Sequence, residues 1–331
     1  MISPDPANYL RHELHAEGRD WVEKNCYIDI WIEVLHAHGL DPMAMLPFTV
    51  AVDFEGDQWT FFKPPHVDLW NLYGIDVQEM TVWRSLLEHA VLHTAAGRLV
   101  STEADAFFLP DTQGTDYRTQ HTKTTIVIVD VDVERRRLGY FHNAGYFELG
   151  GDDFAALFRL GVPPDPTYMP FFAELIRTDR MERTPAGELR RRSAAMLAHH
   201  VRRMPAENPV ATFAARFAAD LPHLQEEGLA RYHAYAFATV RQVGAACELA
   251  SLYLRWLAPS GRKELLDAAL AYERVSSAMK ALILKGARAV NSKRPGDFTP
   301  LFEPASADWA RAAELLRAGV GQAARDGASS P

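Results

Sequence analysis

Residues 122–130, Thr-Lys-Thr-Thr-Ile-Val-Ile-Val-Asp, are β-branched through their core and form the clearest strand in the chain. A strand of this kind commits the first half of the sequence to a sheet. A charged turn over 132–137 follows, and Leu138-Gly139-Tyr140-Phe141 returns, which predicts an antiparallel hairpin. Leu99 to Leu109 reads as another strand ending at Pro110, and Tyr146 to Leu149 as a short one. Around them the apolar spacing predicts a short helix in 11–19, a helix from Cys26 to His38, and helices over 68–73, 82–93 and 152–160. Residues 46–54 and 58–62, joined by Glu55-Gly56-Asp57, suit a hairpin or, in part, a buried helix, because short apolar runs do not separate the two.

The composition shifts near 161–170, where Pro163, Pro164, Pro166 and Pro170 cluster. Beyond it the pattern is helical: 169–178, 186–203, 208–220, 227–257, 261–290 and 306–325, with a frayed end over 326–331. The expected fold class is therefore α+β, with an N-terminal domain over 1–160 and an all-helical domain over 161–331. A net charge of −8 argues against nucleic-acid binding, which needs a basic footprint. The two cysteines, Cys26 and Cys247, make neither a disulfide framework nor a CxxC metal site, and they fit a reducing cytoplasm. Met1 to Pro6 is no signal peptide, and no apolar run reaches the roughly 18–20 residues of a membrane span.

Cys26 falls where the polar loop Glu23-Lys24-Asn25 turns into an amphipathic helix with Ile28, Trp31, Ile32 and Leu35 on one stripe. In the first helical turn, unpaired N–H groups and the helix dipole favour a thiolate. A cysteine nucleophile needs a base, and the base needs an orienting group. His121 precedes the best strand and Asn143 follows its antiparallel return, so the hairpin is expected to bring them together. Asp105 is the rival orienting residue and His142 the rival base. The plainer readings are a small core cysteine, a polar residue at a strand entry and an Asn in a turn.

Asn25-Cys26-Tyr27, the Glu103-Ala104-Asp105-Ala106-Phe107-Phe108-Leu109-Pro110 strand, His121 before an Ile/Val strand and Tyr140-Phe141-His142-Asn143 resemble compact papain-fold proteins. The nearest type is the carrier-protein-dependent acyltransferase of butirosin biosynthesis. A bacterial family encoded beside amino acid:carrier-protein ligases is also similar. The resemblance spans roughly residues 20–160. It implies a papain-like, cysteine-proteinase-like N-terminal domain. It also implies passage of an acyl or aminoacyl group from a phosphopantetheine thioester to Cys26 and on to an amine. Carried over, Cys26 is the nucleophile, His121 the base and Asn143 the orienting residue. Related bacteriocin-processing peptidases carry Asp at the Asn143 position. They and papain also place a Gln before the cysteine, where this chain has Asp20. The oxyanion would then fall to the Cys26 N–H and the Asn25 side chain. No metal or organic cofactor is implied, since the pantetheine arm arrives on its carrier protein. Hydrolysis by the same triad, as a peptidase, amidase or thioesterase, is the first alternative, and a non-catalytic binding protein of the same fold is the second.

Weaker signals remain. Arg190, Arg191, Arg192, Arg202 and Arg203, with His199 and His200, make a basic run suited to an acidic carrier protein or, more simply, to a solvated helix face. His89 and His93 have i, i+4 metal-ligand spacing without a third ligand, and read as an exposed pair. Asp130, Asp132 and Glu134 lack the Gly and terminal Glu of a calcium loop. Cys247 reads as core, and the helix around Tyr272, Glu273, Ser276, Ser277 and Lys280 as a candidate cover that recognises the acceptor.

Overall fold

The computed structural model describes residues 2, 4–163, 171–258 and 262–328. In chain order its elements are α1 (Cys26–Ala37), β1 (Phe54–Glu55), β2 (Gln58–Trp59), α2 (His66–Tyr73), β3 (Asp76–Glu79), α3 (Leu86–Ala95), β4 (Leu99–Asp105), β5 (Lys123–Asp132), β6 (Arg137–His142), β7 (Gly145–Gly150), α4 (Gly151–Leu157), β8 (Ala173–Arg177), α5 (Ala186–Arg202), α6 (Pro209–Glu227), α7 (Leu229–Ala238), α8 (Val240–Leu257), α9 (Lys263–Ser292) and α10 (Thr299–Ala328). The fold is α+β, a sheet-rich first part and a helical second. Its two compact units interleave along the chain. The first takes Met1–Glu17, Asn25–Pro42 and Pro65–Thr184, and the second Gly18–Lys24, Met43–Pro64 and Pro185–Pro331. The boundary expected at 160/161 thus falls inside the first unit.

The first unit is built on an antiparallel sheet of order β3-β8-β4-β5-β6-β7. The predicted hairpin is β5–β6, with Asp132 opposite Arg137 and a register shift between Ile128 and Asp130. The helix predicted over 169–178 is corrected. Residues 164–170 lie outside the described residues, and Ala173–Arg177 is a strand seated between β3 and β4. Ladder bonds on both edges outweigh the local pattern there, a tertiary override of propensity. Strand β3, only four residues long, gave no sequence signal of its own.

Side chains alternate across the sheet. On one face Ile126, Ile128, Leu138, Tyr140 and Val100 pack with Leu87 and Ala90 of α3 and with Phe154 of α4. On the other face lies α1, buried from Tyr27 through Leu35, with Cys26 against Thr125 of β5. The α1 helix is also pinned by charge. His15, Asp29 and Glu33 are wholly buried. The His15 ring presents Nδ1 to Glu33 at 2.5 Å and Nε2 to Asp29 at 3.0 Å. Glu33 further accepts from the Tyr9 hydroxyl at 2.5 Å and the His12 N–H at 3.0 Å. Burial and the neighbouring Glu33 carboxylate push the Tyr9 phenol up, so it stays a donor.

Gly74 closes α2 in the left-handed region, φ +67°. A Cβ there would sit 2.1 Å from the Arg180 carbonyl oxygen. Gly74→Ala is expected to cost the first unit about 2–4 kcal/mol, combining αL strain with a backbone clash. Urea titration followed by far-UV circular dichroism checks this, and a loss below about 1 kcal/mol would mean that the segment around Arg180 yields.

In the second unit, residues 43–64 supply a 3-10 helix over Pro42–Ala51 and the two-stranded β1–β2 ribbon. The expected hairpin over 46–62 is thus confined to Phe54–Trp59, and its first arm is helical. The helix predicted over 227–257 is two helices, α7 and α8, broken at Thr239. The Thr239 hydroxyl donates to the Tyr235 carbonyl at 2.7 Å. Helix α6 runs through Pro222 to Glu227, longer than expected. Phe213, Phe217, Phe298 and Phe302 form an aromatic cluster. Trp21, from segment 18–24, packs on Gly244 and donates to the Ser276 hydroxyl at 2.8 Å. Among the described residues no helix is long and apolar enough to cross a membrane.

Candidate functional site

Asn25 caps α1. Its Oδ1 accepts from the Tyr27 N–H at 3.1 Å and the Ile28 N–H at 3.0 Å, so Cys26 is the first helical residue. The cysteine is free and half-buried, and its Sγ lies 3.7 Å from the Thr125 hydroxyl. Asp20, at the offset of the oxyanion Gln, belongs to the second unit, where its carbonyl accepts from Lys280.

His121 is exposed. Its Nδ1 meets Asp105 Oδ2 at 2.6 Å, and its ring stacks on Phe107 with centroids 4.4 Å apart. Asp105 pairs with Lys123 across β4–β5, and Glu103 with Thr125. His121 therefore stands four residues before the rung that holds Cys26, outside β5, which begins at Lys123. Asp105 and Phe107 hold its ring at that far end. The expected His121–Asn143 contact is not formed. The β5–β6 ladder pairs Ile126 with His142, which sets Asn143 next to Thr125 in register and four residues from His121. Asn143 itself takes φ +44° in the turn before β7, the geometry of a turn residue.

His142, the rival base, is buried on the α3 side of the sheet. Its Nδ1 meets Asp111 at 2.5 Å and its Nε2 meets Thr124 at 2.8 Å. Tyr140 donates to the same Asp111 carboxylate. This is a closed internal network, on the face opposite Cys26. A second network borders the cysteine on its own face and was missed in the sequence. The Tyr27 hydroxyl donates to Glu174 at 2.8 Å and lies 2.9 Å from His66 Nε2, which is 3.3 Å from the other Glu174 oxygen. Glu174 is 1% exposed. Burial and the Glu174 charge push the Tyr27 phenol up and keep it protonated. A glutamate inside the apolar run Phe171-Phe172-Ala173-Glu174-Leu175-Ile176 was the available signal, since a charge so placed requires partners.

In the second unit Cys247 is buried, and desolvation pushes its thiol up to about 12. The basic run of α5 is partly consumed locally. Glu188 holds Arg191 and Arg192, and Arg190 lies over the Trp256 ring, while Arg202 and Arg203 are exposed. Tyr272 and Ser276 are buried and Lys280 lies over Trp21, so the face named as a cover is largely internal to this unit. Asp130 is paired with Arg137 and Asp132 with Arg135, as in a solvated turn. His89 is buried, which corrects the exposed-pair reading. Among the described residues no three His, Cys, Asp or Glu side chains group as metal ligands.

Compared with known families, residues 10–178 match the DUF1839 N-terminal domain and residues 186–318 the DUF1839 C-terminal domain. No curated protein matches the chain.

Proposed function

The chain belongs to the DUF1839 family, and we propose that its N-terminal unit is a papain-like thiol domain that moves an acyl or aminoacyl group from a phosphopantetheine carrier protein to an amine. The observation that carries this reading is Cys26 as the first residue of a capped helix, half-buried, on a sheet face that also bears an imidazole–carboxylate pair. In the reaction His121 takes the Cys26 proton. The sulfur attacks the thioester carbonyl and the carbon–sulfur bond to pantetheine breaks. His121 returns the proton to the departing thiol, and the acceptor amine then displaces Cys26. The Cys26 N–H and the Asn25 amide face the oxyanion. Asp105, rather than Asn143, orients the base. The reaction requires the His121 ring to leave Phe107 and close on the sulfur once a thioester is seated. A carrier protein, acidic as a class, docks on Arg202 and Arg203 at the end of α5, with Arg190, Arg191 and Arg192 contributing when freed from their local partners. The setting is the cytoplasm. The same steps with water in place of the amine make a hydrolase.

One observation favours a different reading. The group at hydrogen-bonding distance from Cys26 is the Thr125 hydroxyl, not an imidazole, as in a protein that keeps the fold to bind and not to react. Intact-mass measurement separates the two. After incubation with an aminoacylated carrier protein, the full chain is expected to gain the aminoacyl mass at Cys26, and Cys26→Ser to gain none. Iodoacetamide is expected to label Cys26 at least tenfold faster than Cys247. Equal, slow labelling of both thiols with no acyl adduct would establish the binding reading, and turnover without an amine acceptor would establish the hydrolase.

A further inference from the structure

On the α3 side of the sheet, remote from the Cys26 face, four side chains line up from the loop before α3 to its last turn. Trp83 is 75% exposed, and the Arg84 guanidinium carbon sits 5.2 Å from its ring centre. His89 meets Trp83 edge-on with ring centres 6.2 Å apart. His93, one turn later, lies parallel to His89 at 6.4 Å. Three buried nitrogens in this group have no partner among the described residues: Arg84 Nε, His89 Nε2 and His93 Nδ1. His89 is only 6% exposed, so its unbonded nitrogen is an internal cost unless something meets it.

The charge around the cluster decides what that something is. Burial first, then Arg98, His89 and Arg84, hold His93 below its ordinary range, and burial with Arg84 does the same to His89. The nearest carboxylate, Glu88, is engaged by the Ser85 N–H and hydroxyl in a capping box. A cation would meet two guanidiniums and only two imidazoles. An anion would meet an Arg N–H that is always a donor and two imidazoles that donate in the right tautomer. A bare anion leaves Trp83 unexplained, whereas an organic group attached to it would cover that ring.

We infer that Trp83, Arg84, His89 and His93 form a binding site for an organic phosphate ester, with the phosphate on the orphaned nitrogens and the organic group on Trp83. The inference does not depend on Cys26 chemistry, because the two sites occupy opposite sheet faces. Isothermal titration of the full chain with phenyl phosphate, inorganic phosphate and phenol tests it. Phenyl phosphate is expected to bind saturably and at least tenfold tighter than either fragment. Arg84→Gln and His89→Gln are each expected to weaken it tenfold or more, and the exposed Arg98→Gln severalfold, with circular dichroism unchanged. Cys26→Ser is expected to bind as the parent does. No saturable binding of phenyl phosphate, equal binding of phenol, equal binding of inorganic phosphate, or full affinity in Arg84→Gln together with Arg98→Gln would each overturn the assignment.

Discussion

Replacing His15 with leucine is expected to unfold the sheet-bearing unit while leaving the helical unit's secondary structure in place. Both ring nitrogens of His15 face carboxylate oxygens, Nδ1 at 2.5 Å from Glu33 and Nε2 at 3.0 Å from Asp29, so one side chain ties the two carboxyl groups together. All three side chains are fully buried. Leucine fills the volume and takes the shared imidazole from both buried carboxylates, although Glu33 keeps its bonds from Tyr9 and the His12 N–H. Breaking a buried charge group from one side costs about 3–5 kcal/mol, against a total of about 5–15 kcal/mol for a typical protein. Asp29 and Glu33 both lie on α1, so the loss falls on the helix that carries Cys26. Hydrogen exchange read by mass spectrometry is the direct measurement, with protection lost in β5 and retained in α8 and α9. A variant within about 1 kcal/mol of the parent would show that the carboxylates are balanced by other groups.

Asp105→Asn is expected to lower acyl transfer by about a thousandfold or more, the scale seen when an orienting carboxylate is neutralised and the imidazole takes the wrong tautomer. Asn143→Gly is expected to leave the rate within roughly threefold, because glycine accepts the positive φ at that position. Rates of adduct formation at Cys26, at saturating carrier protein, measure both. The reverse ranking would return the orienting role to Asn143 and require the β5–β6 ribbon to shift register. Equal, small effects would leave His121–Asp105 as a surface ion pair.

Much of the fold was legible where local chemistry and tertiary demand agree. The β5 run of Thr, Ile and Val and the α1 stripe behind Asn25 each carry their own signal, and both stand where expected. Strand β8 does not, because five residues shortly after a proline cluster hold no decisive period. Its place between β3 and β4 depends on partners some seventy to a hundred residues away. The site was half legible. Cys26 and its cap follow from sequence neighbours alone. The His121 partner depends on register, and counting rungs back from Asp132–Arg137 through the register shift between Ile128 and Asp130 carries Asn143 to Thr125, not to His121. Asp105 was visible as a candidate, but its selection needed the β4–β5 pairing of Asp105 with Lys123. The Tyr27–His66–Glu174 and His15–Asp29–Glu33 groups join distant positions, and only a charge inside an apolar run hinted at either.

The alternation of the two units along the chain sets an order of events during synthesis. Residues 18–24 and 43–64 emerge long before 185–331, the rest of the body they belong to. At about 5–20 residues per second, the ribosome spends roughly 6–24 s between residue 64 and residue 185. Through that interval Trp21, Trp59 and Phe62, all buried in the finished protein, are held apart from that later sequence. The first unit can fold once Thr184 clears the exit tunnel, whereas the second waits for its last helices. A nascent chain stalled just after Thr184 has left the tunnel, with the last helices still unmade, should therefore present an apolar stretch for chaperones to bind, although the sheet beside it in sequence is already native.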